Sequence, residues 1–207
     1  MLVGIFGGTF DPIHYGHLRT VAQVHQYIQF EKVLFIPSAV PPHREVPVAT
    51  VEQRVQMLRL ALNEYPQFEV DQRELHRTGP SYTVDTLRSL HEDFSNSALC
   101  LIIGMDAFLS INTWHQWQEI PTLAHLVVMR RPGWSTNENL PDWCWQSTFE
   151  NTDAVREKNT GAVCMCEVDL VDISASAIRR DLKQGNEISR SVPLPVQNYI
   201  LENKLYQ

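Results

Sequence analysis

Leu2-Val3-Gly4-Ile5-Phe6-Gly7-Gly8-Thr9-Phe10-Asp11-Pro12-Ile13-His14-Tyr15-Gly16-His17-Leu18 decides how this chain is read. Residues 2–6 are an unbroken apolar run, the pattern of a strand buried on both faces. Gly7 and Gly8 let the backbone turn tightly and approach a ligand closely, and Pro12 stiffens the loop beyond them. His17 begins a helical pattern carried on by Leu18, Val21, Ala22 and Ile28. A strand passing through glycines into a helix start is a seat for an anion, because free backbone N–H groups and the helix dipole both favour negative charge. His14 and His17, three residues apart, add donors for oxygens that gain charge during phosphoryl or nucleotidyl transfer. The run lacks the Gly-Lys-Ser/Thr of a Walker loop, and the three-glycine dinucleotide fingerprint is absent. Zinc would need a third ligand nearby, and none of matching type is present.

The same buried-strand pattern recurs at Val33–Ile36, Ala98–Ile103 and His125–Met129. Helical patterns at Gly16–Ile28, Val51–Leu62 and Thr83–His91 lie between these runs. This alternation predicts an α/β fold, a doubly wound Rossmann-like parallel sheet, with ligands beyond the carboxyl ends of the strands. Chemically useful residues fall at those ends: Gly7–His17, Pro37–Arg44, Gly104–Asp106 and Arg130–Arg131. Ser174–Lys183 reads as a short helix stopped by Gly185, and Pro193–Leu205 as a final helix, so a small helical part closes the chain.

The 207 residues carry a formal charge of −7, a poor balance for a general nucleic-acid binder. Positive charge for an anionic ligand must then be concentrated at the site, with His14, His17, Arg44, Arg131 and Arg179 as candidates. Four cysteines do not make a disulfide framework at this length, and Cys164 and Cys166 read as buried thiols on one strand face. No signal peptide pattern and no run long enough to span a membrane is visible, which predicts a cytoplasmic protein with no membrane partner.

Gly-Gly-Thr-Phe-Asp-Pro-Ile-His-Tyr-Gly-His-Leu resembles the His-x-Gly-His signature of the nucleotidyltransferases, and in detail that of the bacterial nicotinate-nucleotide adenylyltransferase family. Further blocks are similar to that family in the same order: Ile36-Pro37 through Pro41-Pro42-His43-Arg44, Gly79–Leu87, Ile103-Gly104-Met105-Asp106, Thr113-Trp114, Arg130-Arg131-Pro132-Gly133 and Ile173–Arg179. Only about Trp134–Ala162 lacks a signature. The resemblance implies one nucleotidyltransferase domain over 1–207, with a core of about 1–131 and 163–185, a variable segment of about 134–162 and a terminal helix of about 193–205.

The resemblance further implies ATP and nicotinate mononucleotide as substrates, the 5′-phosphate of the mononucleotide attacking the α-phosphorus of ATP. That nucleophile is already an anion, so alignment and charge stabilisation replace a general base. His14, His17 and Arg179 are the implied catalytic residues. Gly8, Thr9 and Phe10 would present backbone to ATP, and Ser174 with Arg179 would hold its outer phosphates. Ser174-Ala175-Ser176 stands where the family often has Ser-Ser-Thr or Ser-Ala-Thr, which keeps a hydroxyl. Trp114 would stack on the pyridine ring, Tyr82 and Thr83 at a helix start would receive the carboxylate, Asp106 would hold a ribose hydroxyl, and Arg44 with His43 would be phosphate or entrance residues. Mg2+ is implied, held mainly by phosphate oxygens and water, with no protein ligands named. A related adenylyltransferase preferring nicotinamide mononucleotide or another phosphate acceptor stays open. Pantetheine-phosphate enzymes are shorter and lack the Gly-Pro-Ser-Tyr-Thr block, while class I aminoacyl-tRNA synthetases need a lysine-serine-lysine loop that this chain lacks.

Overall fold

The computed structural model describes residues 1–39, 46–130, 149–150, 153–169 and 171–207. The strands are β1 (Leu2–Gly8), β2 (Lys32–Pro37), β3 (Phe68–Val70), β4 (Ala98–Gly104), β5 (His125–Arg130), β6 (Phe149–Glu150) and β7 (Val163–Glu167). They form one sheet of order β3-β2-β1-β4-β5-β7-β6, parallel at every pairing. From β1 the chain moves outward to β2 and β3, then returns to β4 on the other side of β1. That reversal is the topological switch at which open α/β sheets bind ligands.

The helices are α1 (Tyr15–Ile28), α2 (Val51–Leu62), α3 (Thr83–Asp93), α4 (Met105–Leu109), α5 (Ile120–Leu123), α6 (Ala154–Glu157), α7 (Ala175–Lys183) and α8 (Leu194–Glu202). They cover both faces of the sheet. Leu18, Val21 and Val24 of α1, Met57 and Leu58 of α2, Ile178 of α7 and Val196 of α8 share one core with Leu2 and Phe6 of β1. Val84, Leu87 and Leu90 of α3 and Phe108 of α4 share the other with Val3 and Ile5. The alternation along β1 splits its side chains between the two, as the pleat requires. Cys164 and Cys166 are buried thiols, outside any disulfide, on the first of these faces, as their spacing predicts.

Two details differ from the sequence reading. Gly7 and Gly8 do not make the turn: they continue β1, opposite Ile36 and Pro37 of β2. The left-handed residue is Phe10, at φ 51°. Its ring folds back over Gly8, where a Cβ would stand 2.9 Å from it, so glycine is needed there for close approach. The terminal helix stops at Glu202 rather than Leu205, and the tail turns through Lys204 and Tyr206, both left-handed. Among the described residues no helix is long and apolar enough to cross a membrane.

Candidate active site

A cleft of about 550 Å³ opens at the carboxyl ends of β1, β2 and β4. Gly7, Gly8 and Thr9 form one wall, Ser38 extends it from β2, and Asp106 and Ala107 enter from the first turn of α4. The opposite wall is Tyr82, Thr83 and Thr86 of the α3 start, with Trp114 and His115 above. Tyr82 sits at the N-cap in extended conformation, and its side chain does not cap the N–H groups of the first turn. Thr83, which opens that turn, lines the cleft, and a helix start there favours an anionic ligand group. The ring of Tyr82 stacks on His115 with centroids 4.3 Å apart. Trp114 is half-buried against the α3–α4 core while also lining the cleft, so packing and platform coincide in one side chain.

Glu74 lies in the same wall, buried, and accepts a 2.7 Å hydrogen bond from Thr86 Oγ1. Burial pushes its carboxyl above the usual range. Arg77 donates to Thr86 Oγ1 at 3.0 Å and to the Asp85 carbonyl at 3.1 Å, while Ser81 Oγ accepts from the Ala39 N–H at 3.0 Å. These bonds fasten the start of α3 to the segments around it.

Past Thr9 the loop turns into a second cluster. His14 is buried and its ring stacks on that of His17 at 3.7 Å. His17 is half-buried, edge-on to Phe10 at 5.3 Å. Burial lowers the His14 pKa to about 4, so at neutral pH its imidazole is an uncharged donor and not one of the cations the acidic composition calls for. Gly16 separates the two histidines because a Cβ there would stand 2.8 Å from His14 Nδ1 and 3.1 Å from the Ile173 carbonyl. That close approach also joins the histidines to the start of α7, where Ser174 Oγ caps the helix by accepting from the Ala177 N–H at 3.2 Å.

Asp11 ties the loop down. Its carboxylate accepts from Val48 N–H at 2.8 Å, Ala49 N–H at 3.1 Å and the Tyr206 hydroxyl at 2.7 Å. Arg179 Nη1 donates to the Asp11 carbonyl at 2.7 Å, and Arg54, fully buried, donates to the Thr9 carbonyl at 2.7 Å. Among the described residues no three His, Cys, Asp or Glu side chains gather to hold a metal ion. The Asp11 carboxylate is already committed to protein donors.

A cytidylyltransferase-like family model matches residues 5–181. The probable nicotinate-nucleotide adenylyltransferase of Acidithiobacillus ferrooxidans is 45% identical over 98% of this chain and 94% of its own length. The chain belongs to the nicotinate-nucleotide adenylyltransferase family. As a member it is a nucleotidyltransferase. The probable nicotinate-nucleotide adenylyltransferase of Yersinia pestis is 39% identical, covering 100% of this chain and 96% of that protein. Among solved structures, the Plasmodium falciparum nicotinic acid mononucleotide adenylyltransferase complexed with NaAD superposes with a TM-score of 0.74 over 99% of this chain and 97% of its own. At 16% identity that likeness speaks for the fold.

Of the residues expected for this family, Gly8, Thr9, Tyr82, Thr83, Asp106 and Trp114 meet in the one cleft. His14, His17, Ser174 and Arg179 meet around Asp11 and Gly16, outside the cleft lining, and Phe10 is buried as their packing partner. Arg44, His43 and Arg131 lie outside the described residues, as does most of the variable segment. Arg130 does not reach the cleft lining and donates to Glu167 of β7 at 2.7 Å. Sequence reasoning missed Asp11, Arg54, Glu74, Thr86, His115 and Tyr206. For three of these a signal existed, since Asp11 lies within the signature at Gly7–Leu18, Thr86 within the Gly79–Leu87 block and Glu74 shortly before it.

Proposed function

We propose that this chain joins magnesium-bound ATP to nicotinate mononucleotide, releasing pyrophosphate and forming nicotinate adenine dinucleotide, a step of NAD biosynthesis. The observation that carries this reading is the cleft with Trp114 and the uncapped start of α3, leading through Gly8 and Thr9 into the His14–His17–Arg179 cluster. The cleft suits a flat acid, and the cluster suits phosphates.

In this reading Trp114 stacks on the pyridine ring and the N–H groups at Thr83 receive its carboxylate. Asp106 accepts from a ribose hydroxyl, and Arg44 pairs with the mononucleotide phosphate. That phosphate attacks the α-phosphorus in line: the new O–P bond forms as the bond to the β-phosphate oxygen breaks, and the electron pair leaves with pyrophosphate. No proton must be removed, so the protein's work is alignment and charge stabilisation. His14 and His17 donate to the oxygens that gain charge, with His14 acting as a neutral imidazole. Backbone at Gly8, Thr9 and Phe10 borders the nucleotide, and Ser174 with Arg179 holds its outer phosphates. Magnesium enters with ATP, neutralising its phosphates.

The test is turnover with ATP and either mononucleotide, monitored by pyrophosphate release. An amide would turn its NH2 toward N–H donors, a mismatch of roughly 2–3 kcal/mol, so kcat/KM should favour the acid about 100-fold. A preference for nicotinamide mononucleotide would overturn the roles given to Tyr82 and Thr83. Failure to release pyrophosphate with either would overturn the reading as a whole.

A further inference from the structure

Tyr206 is absent from the cleft lining, yet it is buried at 4% exposure with its hydroxyl 2.7 Å from Asp11 Oδ1. Its backbone is left-handed at φ 63°, a conformation that costs a bulky residue free energy and persists only where its surroundings hold it there. The tail after α8 therefore brings this hydroxyl back to the loop between Thr9 and His14.

Among the described residues, the guanidinium within ion-pair reach of the Asp11 carboxylate is that of Arg179, with Nη1 at 3.9 Å from Oδ2. At that distance the two do not share a hydrogen bond. The Arg179 guanidinium instead gives a hydrogen bond to the Asp11 carbonyl, and among the described residues that is the only one this side chain makes. The carboxylate accepts from three donors that carry no charge: Val48 N–H on Oδ2, and Ala49 N–H with the Tyr206 hydroxyl on Oδ1. Burial and the adjacent carboxylate push the Tyr206 phenol far above its ordinary range, so it stays a neutral donor at any working pH. Without the Tyr206 hydroxyl, Oδ1 keeps one donor of its two, and a guanidinium already 3.9 Å from Oδ2 gains room to bridge both oxygens in a bidentate pair, the stronger geometry for arginine. A guanidinium so paired has fewer N–H groups for a phosphate.

We propose that Tyr206 is a positioning residue that occupies Asp11 so that Arg179 remains half-free for the polyphosphate of the nucleotide. The inference rests on the proposed ATP site and goes beyond it by assigning a role to the tail. It is tested by calorimetric titration of magnesium-bound ATP and, separately, of nicotinate mononucleotide into the wild type, Tyr206→Phe, Arg179→Ala and the double variant. Tyr206→Phe should weaken ATP about 10-fold while mononucleotide affinity is unchanged. In the Arg179→Ala background the same substitution should add nothing, because the group it acts through is gone. Unchanged ATP affinity in Tyr206→Phe overturns the role. So does an equal loss for both ligands, or a 10-fold loss that persists without Arg179, since either marks a general structural effect. A wild type that binds the mononucleotide and not ATP overturns the nucleotide site itself, and this inference with it.

Discussion

Gly16→Ala sets two opposed effects against each other. In a helix, alanine is more favourable than glycine by about 1 kcal/mol. Gly16 lies in the first turn of α1 and has no left-handed φ, so the backbone accepts alanine. The new methyl would lie 2.8 Å from His14 Nδ1, 2.9 Å from His14 Cε1 and 3.1 Å from the Ile173 carbonyl. Overpacking of this kind costs about 1–3 kcal/mol. The carbonyl is backbone, whereas the imidazole is the end of a side chain, so the ring moves. The net change in stability is then about 0–2 kcal/mol, but the His14 ring leaves its stack on His17. Misplacing a catalytic group by about 1 Å costs on the order of 100-fold in rate. Steady-state turnover with ATP and nicotinate mononucleotide, beside a denaturant melt, separates the two effects. A near-normal melt with kcat down about 100-fold is expected. Full turnover in Gly16→Ala would refute the claim that the glycine exists to seat His14.

The same geometry fixes the outcome of four other perturbations. His17→Ala should lower kcat by about 100-fold or more with little change in ATP affinity, because a donor used mainly in the transition state is lost; calorimetry beside turnover decides it. Trp114→Ala should raise the KM for the mononucleotide about 10-fold or more and leave that for ATP alone, a stacking loss of roughly 1–3 kcal/mol. Equal changes in both constants would return Trp114 to core packing. Arg54→Met takes the charged donor from the Thr9 carbonyl and a buried cation from the surroundings of Asp11, and should cost about 3 kcal/mol in denaturant unfolding; a loss below about 1 kcal/mol would contradict that. His14 has its folded pKa lowered from 6.5 to about 4, so between those values the unfolded chain binds the extra proton. Its contribution is complete above pH 6.5 and is lost as pH falls toward 4, up to about 3 kcal/mol in all. Thermal melts should therefore decline across that window in the wild type and decline less in His14→Gln.

What the sequence made legible was whatever depended on local pattern. The apolar runs of β1, β2, β4 and β5 and the cap residues Tyr82 and Ser174 lie where periodicity puts them. What it hid depended on distance. Asp11 reads as a turn residue beside proline, yet its partners lie 37, 38 and 195 positions away. Arg54 reads as one more polar residue of an amphipathic helix, and only the packed structure buries it under Thr9. β3 is three residues long, too short for any period to register. The electrostatic reading failed for a related reason. Histidine beside an anion site suggests positive charge, but the strand and helix that deliver His14 also take it out of water, and desolvation wins.

That outcome divides the labour at the site. On the proposed function, a neutral His14 would supply direction: a donor held in a fixed stack, with no charge of its own to be neutralised before substrate arrives. In the proposed reaction, net attraction for a triphosphate then comes from permanent cations; of the two arginines in this cluster Arg54 is fully buried, which leaves Arg179 for that part. An arginine beside a buried carboxylate is ordinarily consumed by it. Here the carboxylate is satisfied by two backbone N–H groups and a phenol, and the arginine is held through a carbonyl instead. The acidic residue of the loop thus anchors the turn without cancelling the charge next to it. On the proposed function, this is how a chain of net charge −7 keeps a cation available for phosphates.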